Sequence, residues 1–275
     1  MKSIPFYKMS GSGNDFIIID NREPWVPDAQ LPDLIKGVCR RKLSVGADGL
    51  ILIEPSSAVD FKWRFFNADG SVAEMCGNGA RCAARFAFLH GIAGRRMAFE
   101  TLAGIIHAEV GDSAVKIRMT DPVDLRADFD LYLDDNPVRV SSINTGVPHV
   151  VMMVPDVEQT DVVATGRRIR YHQEFAPAGT NANFVSIDSG NKISIRTYER
   201  GVEDETLACG TGNVAAALIL SHTQGLSSPV CLTTRSGSTL TVHFSRQADR
   251  YQDVYLEGDA RVIYSAKLWE DAWRT

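Results

Sequence analysis

The chain has 275 residues, 44% hydrophobic and 23% charged, with a formal net charge of −5. That balance describes a globular protein with one large or two medium cores, and it excludes intrinsic disorder and a basic nucleic-acid surface. Five cysteines, an odd number in a chain too long to need stapling, point to reduced thiols in the cytoplasm.

The opening MKSIPFYKMS lacks the apolar core of a signal peptide. FIIID (16–20), bounded by GSGND and NREP, reads as a buried strand. Residues 29–42 read as a helix with Pro32 in its first turn. GLILIEP (49–55) and DFKWRFFNADG (60–70) are strand-like, and a helix over 79–90 stops at Gly91. A β-rich stretch then runs to Met119, and the polar residues around Pro122 suggest a domain boundary. INTGVPHVVMMVP (143–155), TNANFVSID (180–188) and KISIRTYERG (192–201) are β-type, with a helical stretch near 158–166. A last helix over 213–224 stops at Gly225 and is followed by closing strands. The apolar runs VVMMV and VAAALIL are far shorter than the roughly 18 residues that suggest a membrane span.

A weak internal repeat runs through the chain. NDFIIID resembles NANFVSID, and FKWRFFNADGSVAEMCGNG resembles ISIRTYERGVEDETLACGTG. Asn67 lies nine residues before Cys76, as Arg200 lies nine before Cys209. Strand, polar turn and Cys-Gly-x-Gly recur in order, which implies two related α/β units.

Each matched cysteine stands at a predicted helix start, where free N–H groups and the macrodipole favour an anion. The anion could be the thiolate or a substrate carboxylate. A dipole contribution of about 0.3–1 kcal/mol is less than one pKa unit, so the helix alone leaves the thiol protonated near neutrality. His149 could accept its proton near pH 7, and so could Glu199, although that carboxylate would oppose a neighbouring thiolate. A thiol and a thiolate make an acid and a base of one chemical type. That pair suits inversion at an amino-acid α-carbon, where one face loses a proton and the other gains one.

GSGNDF (11–16), FFNADGSVAEMCGNGARC (65–82), GVPH (146–149), TNANF (180–184) and YERGVEDETLACGTG (198–212) closely resemble the diaminopimelate epimerase family. The resemblance spans essentially the whole chain. It implies an α+β fold of two pseudo-symmetric domains, each a mixed, mainly antiparallel sheet round a central helix, with the active site in the cleft between them. The N-terminal domain would be 1–118, joined by a returning strand over 262–275, and the C-terminal domain 119–261. By the same matching Cys76 and Cys209 are the acid/base pair, and His149 and Glu199 set their proton positions. Asn14, Asn67, Asn181 and Arg200 hold the two ends of LL-2,6-diaminopimelate, with Glu199 also on the substrate. The backbone at Gly77-Asn78 and Gly210-Thr211 grips the reacting carboxylate. The resemblance implies no cofactor and no metal, no nucleic-acid or membrane partner, and a homodimer. The product, meso-diaminopimelate, serves lysine and cell-wall precursor synthesis. Gly49 and Val147 depart from the pattern, where some members carry Gln and Asn, and each removes a side-chain contact to the distal end of the substrate.

Other assignments compete with this one. Cys39, Cys82 and Cys231 read as small buried hydrophobes. Cys76 and Cys82 lack the spacing of a zinc site. A redox dithiol, an anion-binding module without chemistry, and a racemase for another amino acid such as proline are the rival functions.

Overall fold

A computed structural model describes residues 3–25, 27–190, 192–248 and 250–274. The strands and helices of the first half are β1 (Ile4–Gly11), β2 (Asn14–Asp20), α1 (Leu31–Cys39), β3 (Gly49–Glu54), β4 (Phe61–Asn67), β5 (Val72–Ala73), α2 (Gly77–Leu89), β6 (Arg96–Thr101), β7 (Gly104–Val110) and β8 (Ala114–Arg118). The second half has β9 (Val123–Leu133), β10 (Asn136–Asn144), β11 (Pro148–Met153), α3 (Val162–Arg170), β12 (Asn181–Ile187), β13 (Ile193–Glu199), β14 (Asp204–Thr206), α4 (Gly210–Gln224), β15 (Val230–Thr233), β16 (Thr239–Gln247), β17 (Arg250–Asp259) and β18 (Arg261–Leu268). The chain divides into two units, Met1–Ile117 with Gly258–Thr275, and Arg118–Glu257. The last strand, β18, pairs antiparallel with β1, Ile4 opposite Leu268.

In the first unit the sheet runs antiparallel from β1 to β2, parallel from β2 to β3, antiparallel to β4, parallel to β6, then antiparallel through β7 and β8. Successive side chains on a strand face opposite ways. Ile17, Ile19, Leu50 and Leu52 pack with Leu31, Leu34, Ile35 and Val38 of α1. The opposite face meets α2, which lies against β1, β2, β3 and β7. Contact with both early and late strands means that the sheet curves round the helix. The second unit repeats the plan: β10, β11, β12, β13, β15, β16 and β17 pair in the same senses. Its outer helix α3 covers Val150, Ala182, Phe184 and Tyr198, and its central α4 is buried along most of its length. A helix apolar on every side is one enclosed by its sheet. Among the described residues no helix is long and apolar enough to cross a membrane.

Several local expectations change. Helix α1 keeps Pro32 in its first turn but ends at Cys39, where Arg40 turns extended. The helix expected near 158–166 is Val162–Arg170, because the Asp161 side chain caps it by accepting from the Ala164 N–H at 3.0 Å. Helices α2 and α4 start at Gly77 and Gly210, so the glycines lie inside the first turn and each cysteine is itself the N-cap. The repeat also shifts by one strand. NDFIIID is β2, whose topological twin is β11, whereas NANFVSI is β12, the twin of β3. Cys231 is exposed, unlike Cys39 and Cys82.

Candidate active site

In the second unit Cys209 is extended (φ −113°, ψ 112°) and buried ahead of α4. No side chain caps the helix, which leaves its first N–H groups for the sulfur or a ligand. Asn213 ties the turn back to the Cys209 carbonyl through both its main-chain N–H (3.0 Å) and its side-chain Nδ2 (2.8 Å). Burial, then the charge of Glu199, pushes the Cys209 thiol up to about 12, against hydrogen bonds from the Thr211 hydroxyl and the Gly212 and Thr211 N–H groups. Desolvation outweighs the helix end here, since a macrodipole contributes only about 0.3–1 kcal/mol. Glu199, at the end of β13, hydrogen-bonds with Cys209 and Thr206, and burial raises its carboxyl above the usual range. Thr145, 1% exposed, donates to the Thr211 carbonyl at 3.1 Å and steadies the turn.

His149 lies on β11, fully buried, and burial first and the Arg200 charge second push its pKa down to about 3. The sequence reading has it accepting a thiol proton near pH 7. In this setting the ring is neutral at that pH and too weak a base to hold one. Asn181 opposes His149 across the β11–β12 pair. Its Nδ2 donates to the Pro148 carbonyl at 3.0 Å, and its Oδ1 accepts the Arg200 main-chain N–H at 2.8 Å. The Arg200 guanidinium donates to the Ala178 carbonyl at 3.1 Å. Asn181 thus shapes the turn that carries Arg200.

In the first unit Cys76 is extended (φ −147°, ψ 118°) ahead of α2, whose start has no side-chain cap and no acidic residue in its first turn. Asn14 Nδ2 donates to Asp48 at 2.9 Å, and Asn14 Oδ1 accepts from Asn78 Nδ2 at 2.7 Å. Asn78 Oδ1 accepts from Arg81 Nη2 at 2.8 Å, and the same Nη2 reaches Ser12 Oγ at 2.8 Å. Ser12 donates through its N–H and hydroxyl to Asp259 Oδ1, both at 2.9 Å. The guanidinium of Arg81, 0% exposed, orients Asn78 and through it Asn14.

Asn67 stays in its own turn, its Nδ2 donating to Ser71 Oγ at 3.0 Å. The pairing also re-aligns the repeat. Phe65 opposes Ala73 and Ile51, while Thr197 opposes Thr206 and Asn183. By that register Asn67 corresponds to Glu199, not Arg200, because the following turn is one residue longer in the second unit. A Cβ on Gly49 would lie 2.5 Å from the Phe66 carbonyl oxygen and 2.6 Å from the Phe65 ring. The backbone packing at β3 therefore leaves no room there for a longer side chain. Val147 is half-buried and forms part of the turn from β10 into β11.

Sequence reasoning passed over Arg81, Thr145, Asn183, Thr197 and Thr206. An arginine amid the apolar GARCAARFA, and a second asparagine two places after Asn181 on the same strand face, were the available signals.

The family model described as diaminopimelate epimerase matches residues 6–125 and 141–263. The diaminopimelate epimerase of Aquifex aeolicus is 48% identical over 278 residues, covering 97% of this chain and 98% of the relative. That of Archaeoglobus fulgidus is 43% identical over 247 residues, covering 85% and 87%. Among solved structures, a phenazine biosynthesis protein of the PhzF family from Bacillus anthracis superposes with a TM-score of 0.70 at 15% identity, over 98% of this chain and 100% of that one. A probable proline racemase from Agrobacterium radiobacter gives 0.67 at 16%, over 97% and 93%. Those two likenesses concern the fold. With sequence identity this high over nearly its full length, the chain belongs to the diaminopimelate epimerase family.

Proposed function

We propose that this chain inverts one α-carbon of LL-2,6-diaminopimelate to give the meso isomer, using Cys76 and Cys209 as a thiolate/thiol pair without a cofactor. Family membership supports the substrate and the isomerase class. The observation that carries the mechanism is the matched pair of cysteines, each the N-cap of a helix that no side chain caps.

In the forward step one cysteine, as thiolate, takes the α-proton, and the C–H electron pair stays on the carbon. The other, as thiol, delivers its proton to the opposite face. Reversal exchanges the roles, so two groups of one type serve both directions. Cys209, a thiol in the state described, begins as the acid, and Cys76 begins as the base. The N–H groups of Gly77, Asn78, Gly210 and Thr211 receive the charge that moves onto the carboxylate. Glu199 accepts from the Cys209 S–H, and its raised carboxyl narrows the gap between the two groups. Asn14, Asn67, Asn181 and Arg200 hold the ammonium and carboxylate ends. The reaction belongs to the cytoplasm, with both thiols reduced, and the chain works as a homodimer.

The test is meso-diaminopimelate formation by the reduced protein and by Cys76→Ala and Cys209→Ala variants. Each variant is expected to lose about 10²–10⁴-fold or more in turnover, with the double variant little worse than either single. Full turnover by either variant, or turnover with proline but not with diaminopimelate, would overturn the proposal.

A further inference from the structure

We propose that Asn183 is a positioning residue that locks His149 as the Nε2–H tautomer, so that His149 serves as a fixed hydrogen-bond donor to an anion and not as a proton acceptor. The functional half of this inference rests on the two-thiol mechanism above; the tautomer does not.

The orientation of the Asn183 amide decides the matter. One end of that amide is 2.8 Å from the Val150 carbonyl oxygen. A main-chain carbonyl can only accept, so that end is the Nδ2 amine. The other end, Oδ1, accepts the Thr197 hydroxyl at 2.9 Å. The same Nδ2 lies 3.1 Å from His149 Nδ1, and its second hydrogen points there. Nδ1 must therefore accept, which puts the proton of the neutral ring on Nε2. His149 Nε2 is buried and has no partner among the described residues. An imidazolium would place an Nδ1–H against the Asn183 amine, a conflict added to the burial and the Arg200 charge that already hold the ring neutral.

Comparison with the first unit shows that this polar cluster is not required by the fold. The strand register makes Phe16, Ile51 and Phe65 the counterparts of His149, Asn183 and Thr197. In the first unit Phe16 and Ile51, with Trp63, form an apolar bed under Gly79, whose Cβ would lie 3.3 Å from Ile51 and 3.5 Å from Phe16 and from Trp63. In the second unit Asn183 Oδ1 would be 2.3 Å from a Cβ on Gly212. Asn183 is therefore seated directly beneath the first turn of the Cys209 helix. A buried donor with no acceptor is costly, and the anions of the reaction, a thiolate or a substrate carboxylate, are the acceptors of matching chemistry.

Nitrogen-15 NMR of histidine-labelled protein tests this. His149 should show a protonated Nε2 and a bare Nδ1, unchanged from pH 5 to 8, and Asn183→Leu should release that preference. A protonated Nδ1, or a ring that titrates in this range, overturns the inference. Diaminopimelate should move the Nε2–H signal in the wild-type protein. The same movement in the Cys76→Ala/Cys209→Ala protein makes the carboxylate the acceptor, and loss of it there makes it a thiolate; no movement in either overturns the donor role. In turnover, His149→Gln, which keeps an N–H near Nε2, should lose at most about tenfold in kcat/KM. His149→Leu should lose about 10–150-fold, the range for hydrogen bonds to charged groups. Equal losses would contradict a donor. A protein with this tautomer and no epimerase activity would leave the positioning intact and refute only the proposed reaction.

Discussion

The two helix starts are built alike and supported differently. Each has a cysteine as N-cap and a glycine three residues later. Beneath Gly79 lie Phe16 and Ile51, and beneath Gly212 lies Asn183, hydrogen-bonded to His149 and Thr197. The first unit holds its start by hydrophobic packing and keeps its polar network to one side, in Ser12, Asn14, Asp48, Asn78, Arg81 and Asp259. The second unit puts polar groups directly under the start. A duplicated fold can thus set two cysteines at matching helix starts while the shells around them diverge.

Stability against pH should separate the two beds most strongly. His149 has a folded pKa of about 3 against about 6.5 when unfolded, so the unfolded chain binds the extra proton between those values. The stability contributed by the neutral ring is complete above about pH 6.5. It falls by about 1.4 kcal/mol for each pH unit lost toward pH 3. Urea midpoints across that range should carry this slope, and His149→Phe, which copies Phe16 of the first unit, should reduce it by one proton. An unchanged slope would break the distinction.

Arg81→Met should cost about 1–3 kcal/mol in urea unfolding, because Asn78 and Ser12 lose a buried partner. It should also raise KM for diaminopimelate through a misoriented Asn14. The glycines give the smallest contrast. Gly212→Ala drives a methyl to 2.3 Å from Asn183 Oδ1, whereas Gly79→Ala meets Ile51 at 3.3 Å. The first should cost about 1–3 kcal/mol and lower kcat. The second should cost less and leave kcat closer to wild type, and equal effects would show that the two beds are equivalent.

Much of this was legible in the sequence, and the parts that were not have physical causes. Apolar runs such as FIIID and LILI marked strands covered on both faces, and Gly91 and Gly225 marked helix stops, with φ of 63° and 71°. The repeat was visible through CGNG and CGTG, but NDFIIID was matched to the wrong strand of the second half. Apolar character, which both share, does not reveal which strand pairs parallel with which. Glu199 was named as a candidate base for a thiol and was matched again by the family resemblance of YERGVEDETLACGTG. Asn183 and Thr197 were missed because their partners lie on other strands, and Arg81 because, besides Asn78 in its own helix, it reaches Ser12 and Asp259 from distant loops and strands; a hydrogen-bond network has no sequence period. The basicity of His149 depends on burial, which Pro148-His149 does not disclose.

The most direct test of the two-thiol account is proton NMR of LL-diaminopimelate turning over in deuterated buffer with reduced protein and no added cofactor. A thiolate that has taken the substrate's own proton can return only that proton, while the opposite thiol has exchanged with solvent. The account therefore predicts that LL isomer recovered early keeps its α-proton while the meso product carries deuterium at the inverted carbon. Deuterium entering the recovered LL isomer as fast as inversion proceeds would indicate a single base serving both faces, and would contradict it.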